Sequence, residues 1–266
     1  VLPLMRYLQL SAQNKWVRRG LTVAMLLSGF AVLASYSRGA FLALAAMCFF
    51  LLLKTRHKAL VGVLMLLAIP VLLIAMPEKW YDRISSIQTY QQDASAMGRI
   101  NAWHHAYNVA KDHPLVGGGY DVFTPELFLR YAPNPMDVHD AHSIFFEVLG
   151  EHGFVGLGLY LLLMWLVWRT ASWTNKRTRD REDLVWARDL SAMTQAALVG
   201  YAVGGAFLGL AYFDLYYNLV ALIVLTQMVV RRILDEEHKK PGLAPLPAMA
   251  SVFPRDRKTG FGNSRV

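Results

Sequence analysis

Apolar residues gather into six runs along the chain, at about residues 17–36, 40–53, 59–76, 146–168, 191–212 and 216–230. Each predicts a spanning helix, because roughly 20 apolar residues rising about 1.5 Å each cross a hydrocarbon core of about 30 Å. The second and sixth runs are short for that distance. Between the third and fourth runs lies an interval, 77–141, too long to be structureless and therefore expected to hold elements of its own. Ile100, Trp103, Tyr107 and Ala110 recur at helical spacing behind a cap at Asp93 or Ser95, predicting a helix over 95–111 that lies across the bundle rather than through it. Pro114 ends it, and Gly117, Gly118 and Gly119 allow a tight turn. A short helix over 125–131, with Pro125 in its first turn, precedes the turn at Pro133, Asn134 and Pro135.

The chain then passes from a polar, histidine-bearing loop straight into its longest apolar helix. His142 and Ser143 are followed by nine residues and then Gly153, with Gly156 three further on. If this segment is helical throughout, the histidine stands about three turns from the two glycines. Phe145, Phe146, Val148 and Leu149 form its apolar side, Glu147, Glu151 and His152 a wetter one, and no charge appears from Phe154 to Trp168. Such a helix emerges from an aqueous cavity and sinks into lipid.

Composition agrees. Of the 266 residues 55% are hydrophobic and 17% charged, against about a quarter charged in an ordinary soluble domain. The predicted fold is therefore an all-α integral membrane protein, a polytopic bundle of about six spans with a large, partly helical periplasmic loop at 77–141. The whole of 1–266 forms one membrane domain, with a disordered cytoplasmic tail at 238–266. A chain that begins Val1, Leu2, Pro3 without methionine is expected to be part of a longer protein whose earlier spans precede it.

The net charge of +8 would suggest nucleic acid in a soluble protein, so its distribution matters. Lys15, Arg18 and Arg19 precede the first run, Lys54, Arg56 and Lys58 separate the second from the third, six basic residues lie in 169–188, and eight follow from Arg231 onward. If each run spans once, all four clusters face one side, cytoplasmic by the positive-inside rule, and the segments assigned outside hold only six of the 27 lysines and arginines. The charge thus marks cytoplasmic loops and membrane lipid as neighbour, with no nucleic-acid partner. The lone Cys48 allows no intrachain disulfide.

Candidate chemistry gathers on the outer side. Arg38 stands between two apolar runs, where an arginine costs about 2.5–3.5 kcal/mol to insert. It either snorkels to the headgroups as a hairpin anchor or binds an anion, a task for which its fixed fork of donors is suited. Arg99 opens the loop helix on the same side. Two guanidinium groups converging on one pyrophosphate would neutralise a leaving group without any metal. Four histidines lie near this face. His104 and His105 read as ordinary loop residues. His139, between Asp137 and Asp140, leaves a metal site open without ligand spacing to support it. His142 sits where the loop enters a rigid helix, the position for a general base. Gly153 and Gly156 read as a motif for packing between membrane helices.

These residues resemble the O-antigen ligase superfamily, which includes lipopolysaccharide O-antigen ligases, O-antigen polymerases and bacterial O-oligosaccharyltransferases. His142, Ser143, nine residues, Gly153 and Gly156 resemble its histidine motif. Ser37, Arg38 and Gly39 resemble its membrane-edge arginine motif, and Gly98, Arg99 and Trp103, followed by Pro114 and the glycine turn, its second arginine element. The stretches MPEKWYDR, DASAMGRINAW, TPELFLRYAPNP and HSIFFEVLGEHGFVG look most like the O-glycosylation ligases associated with exosortase systems.

The resemblance implies inverting glycan transfer from a polyprenyl pyrophosphate-linked donor to a glycan, lipid or protein acceptor, at the periplasmic face of the bacterial inner membrane and with no cofactor. His142 would be catalytic, Arg38 and Arg99 would hold the pyrophosphate, and no metal ligand is implied. A polymerase of the same superfamily differs only in acceptor. A transporter component would call for polar residues in the middle of several spans, whereas here they crowd the outer edge.

Overall fold

The computed structural model describes residues 1–35, 37–54 and 94–239, with Leu33, Arg38, Lys54, His238 and Lys239 described by backbone alone. Every regular element among them is an α-helix: α1 (Leu2–Ser11), α2 (Lys15–Ala34), α3 (Arg38–Lys54), α4 (Ala94–Asp112), α5 (Pro125–Tyr131), α6 (Ile144–Arg177), α7 (Val185–Gly205) and α8 (Asp214–Lys239). The predicted third span, the first part of the 77–141 interval and the tail beyond 239 lie outside the described residues.

Among the described residues two helices, Ile144–Arg177 and the Asp214–Glu237 part of α8, are long and apolar enough to cross a membrane, and Gly39–Leu53 is a shorter apolar helix. Only 17% and 22% of the apolar stretches of α6 and α8 are buried. Phe154, Leu159, Trp165, Leu225 and Met228 instead face outward, leaving a surface that calls for a non-aqueous neighbour.

α7 is the hub, packing against α1, α3, α6 and α8, while α2 touches only α1 and α3 among the described residues. Small residues set these approaches: a Cβ on Gly204 would stand 3.2 Å from Ala43 on α3, and one on Gly205 would stand 2.6 Å from Ile144 at the start of α6. The main core lies between α6, α7 and α8 and contains Val148, Tyr160, Met164, Leu198, Tyr201, Tyr216 and Ile223.

Two helix ends and one buried face differ from the hydrophobic pattern. α7 ends at Gly205 rather than near 212, because 206–213 folds into a turn whose backbone closes on itself, with Phe207 donating to the Gly204 carbonyl at 3.1 Å. The Tyr201 hydroxyl donates to the Leu210 carbonyl at 2.7 Å and holds this turn from within the bundle. α8 runs past 230 through a charged segment in which Arg232 bonds Glu236 at 2.9 Å one turn on. On α4 the helix matches, but the buried face is Gly98, Asn101, Ala102, His105, Ala106, Val109 and Ala110, whereas Tyr107 is exposed.

Candidate active site

The N-terminal end of α6 is where the motif residues collect. His142 has φ 43°, in the left-handed region that a residue with a Cβ enters only at some cost. Ser143 caps α6 in an extended conformation, and its carbonyl accepts from Glu147 N–H at 2.8 Å. The Trp103 indole on α4 donates to the Ala141 carbonyl at 2.8 Å, and its ring stacks on Phe146 at 4.9 Å. α4 therefore fixes the peptide next to His142 and the first turn of α6 together.

Arg99 lies one turn before Trp103 on α4. It is half-buried, and its Nε is buried with no hydrogen-bond partner among the described residues. A buried, unpaired donor on a cation is costly and marks a place for an acceptor. Beside it, the His139 ring covers Gly98, where a Cβ would lie 3.1 Å from the imidazole, and His139 Nδ1 pairs with Asp137 at 2.9 Å. Asn101 clamps the loop from below: its Nδ2 donates to the Asn134 and Asp137 carbonyls at 2.8 and 2.9 Å, and its Oδ1 accepts from Asn134 N–H at 2.9 Å.

Arg38 is the first residue of α3. The first-turn amide of Ala40 donates to Ser37 Oγ at 3.3 Å. A Cβ on the neighbouring Gly39 would lie 2.8 Å from Phe207, two residues beyond the Gly205 that packs on Ile144. The starts of α3 and α6 thus meet through one short turn at the end of α7, and a Cβ on Gly209 in that turn would lie 4.0 Å from His142 Cα.

Gly153 does not serve as a contact between membrane helices. It has φ 67° and ψ −168°, a conformation open essentially to glycine alone, and it breaks α6 into 144–152 and 154–177. The turn at 117–119 fills the break: Gly118 and Gly119 N–H donate to the Gly150 and Glu151 carbonyls at 2.8 and 3.0 Å, and Phe154 N–H donates to Pro114 O at 2.9 Å. Groups that a continuous helix would pair internally are paired by the loop instead. A Cβ on Gly153 would meet Pro114 O at 2.6 Å, and one on Gly117, itself at φ 64°, would meet the Glu151 carbonyl carbon at 2.5 Å. Gly156 faces its own segment, since a Cβ there would meet that of His152 at 2.2 Å.

Two histidines have structural parts. His105 is fully buried, its Nε2 bonds the Val122 carbonyl at 3.0 Å, and its ring stacks on Phe128 at 4.1 Å. Burial lowers its pKa and favours the neutral imidazole. His104 is exposed and bonds the Ile100 carbonyl at 2.9 Å. Among the described residues no group of three His, Cys, Asp or Glu is disposed to hold a metal ion.

A polar cluster beside His142 was not evident from the sequence. Glu147 Oε2 accepts from Ala211 N–H at 3.3 Å. Tyr212 O–H donates to the buried Glu151 carboxylate and lies 2.9 Å from His152 Nε2, with the Tyr120 ring edge-on to His152 at 5.2 Å. Glu147 and Glu151, one turn apart on the wet side of the helix, were the available signal; Tyr212 read as the end of an apolar run.

Two comparisons with known proteins bear on this site. Residues 23–161, just over half of the chain, match the family model described as O-antigen ligase, a stretch that includes Arg38, Arg99, His142, Gly153 and Gly156. No curated protein matches the chain.

Proposed function

The chain belongs to the O-antigen ligase family, and on that footing we propose that it moves a glycan from a polyprenyl pyrophosphate carrier to an acceptor hydroxyl, with His142 as base and Arg38 and Arg99 holding the pyrophosphate. The family is membrane-associated and its chemistry is glycosyl transfer of the ligase or polymerase type. Within it, the wording of MPEKWYDR and HSIFFEVLGEHGFVG favours the ligases associated with exosortase systems. The reading takes the protein to lie in the bacterial inner membrane with this site toward the periplasm.

The observation that carries the proposal is the convergence at one end of α6. His142, in a strained backbone, begins it; the α4 segment bearing Arg99 is tied to it through Trp103; and the α3 segment bearing Arg38 reaches it through the 206–209 turn. Helix starts offer unpaired N–H groups and a positive dipole end, both suited to an anion.

In the proposed step the acceptor oxygen attacks the anomeric carbon on the face opposite the pyrophosphate. The new C–O bond forms as the bond to the pyrophosphate oxygen breaks, inverting the anomeric centre. His142 takes the hydroxyl proton, and the guanidinium groups stabilise the charge that stays on the carrier. A general base contributes about 100- to 10,000-fold, so His142→Ala should lower transfer by that order at an unchanged amount of protein in the membrane, whereas His104→Ala should cost far less. The measurement is transfer from a polyprenyl pyrophosphate glycan in vitro, with EDTA present. Normal transfer by His142→Ala would remove the base, and loss of wild-type activity in EDTA would require a metal.

A further inference from the structure

The opposite end of α6 holds an open cavity whose charged lining residues are exposed. Trp173 and Arg177 on α6 and Arg231, Leu234 and Asp235 on α8 line a space of about 540 Å³. The guanidinium carbons of Arg177 and Arg231 stand 5.9 and 5.0 Å from the centre of the same Trp173 ring. Stacking on an indole holds a guanidinium by its face and leaves its N–H edge for another acceptor.

Nearby carboxylates are engaged elsewhere. Arg181 takes Asp183 at 2.7 Å and Glu237 at 2.6 Å, and Arg232 takes Glu236 at 2.9 Å. Among the described residues neither Arg177 nor Arg231 forms an ion pair. Among the described residues Asp235 is the one carboxylate lining the cavity, so there two cations face one anion and leave a single positive charge.

The surroundings indicate the source of the matching anion. Arg177 ends one of the two described helices long enough to cross a membrane, and Arg231 lies near the end of the other. Along the same two helices toward the bundle middle, Trp165, Leu166, Leu225 and Met228 are exposed. An apolar outer surface leading to a cavity of arginine and tryptophan fits a headgroup layer with acyl chains beside it. A soluble anion would have no use for that apolar approach.

We propose that this cavity binds the monoanionic phosphodiester headgroup of an anionic phospholipid. Arg177 and Arg231 donate to the phosphate oxygens, and Asp235 disfavours groups of higher charge. The site is independent of transfer at His142, which stands at the other end of α6.

The test places the full chain in nanodiscs of phosphatidylcholine, with or without phosphatidylglycerol, and reads the unfolding midpoint together with lipid retained in native mass spectrometry. Phosphatidylglycerol should raise the midpoint and be retained in preference to phosphatidylcholine. Arg177→Gln with Arg231→Gln should bind it on the order of tenfold more weakly, as expected for losing a charge-assisted hydrogen bond, while unfolding normally in phosphatidylcholine alone. Asp235→Asn should bind it more tightly. Equal retention by wild type and the double variant would overturn the proposal. So would a midpoint shift produced by inorganic phosphate alone, which would indicate a soluble-anion site. If the double variant does not fold, wild-type retention decides: no preference for phosphatidylglycerol ends the idea.

Discussion

Lysine and arginine carry the same charge, but only arginine offers a planar fork that can meet two phosphate oxygens at once. Arg38→Lys and Arg99→Lys should therefore insert and fold while lowering transfer by at least about tenfold, the scale of one charge-assisted bond lost. Wild-type rates in both lysine variants would reduce the arginines to anchors. Arg38 and His142 could be singled out from the sequence because each interrupts or borders an apolar run. The buried Asn101 and His105 could not, since both bury polar atoms by bonding loop carbonyls that are distant in sequence. For the same reason the Glu151 and Tyr212 pair joins residues that only the turn after α7 brings together.

At the scale of elements, the break in α6 rests on one residue. Gly153→Ala would combine a left-handed backbone, costing about 1–3 kcal/mol, with a Cβ 2.6 Å from Pro114 O. Its thermal midpoint in detergent should fall clearly below wild type. Gly158→Ala is the control, because a Cβ there meets nothing within 4 Å, and it should unfold like wild type. A Gly153→Ala protein as stable as wild type would mean that the break is not needed. The sequence pattern found α5 to the residue because Pro125 marks its first turn. It could not find the break, because the segment on each side keeps a helical pattern and the partner groups are backbone amides and a carbonyl of a remote loop. The end of α7 was hidden in a similar way: 206–212 stays apolar while its backbone turns.

For the whole molecule, the proposed orientation rests on the basic clusters, a property of composition that needs no contact to be read. Single cysteines at Asn134 and Asp180 should label from opposite sides of the membrane, Asn134 from the periplasm, in intact cells with an impermeant reagent. Both labelling from one side would overturn the topology and the placement of the site. The packing of α7 at the centre was not legible in this way, because it depends on Gly204 and Gly205 letting two other helices approach. The seam between the 114–119 turn and residues 150–154 also governs how the protein can be recombined. Its bonds are reciprocal, with loop amides serving helix carbonyls and a loop carbonyl serving a helix amide. Neither strip is a self-sufficient module. A chimaera that imports the loop from a relative without the matching start of α6 would leave Gly150, Glu151 and Phe154 unpaired, so substrate-range swaps should keep activity only when both strips travel together.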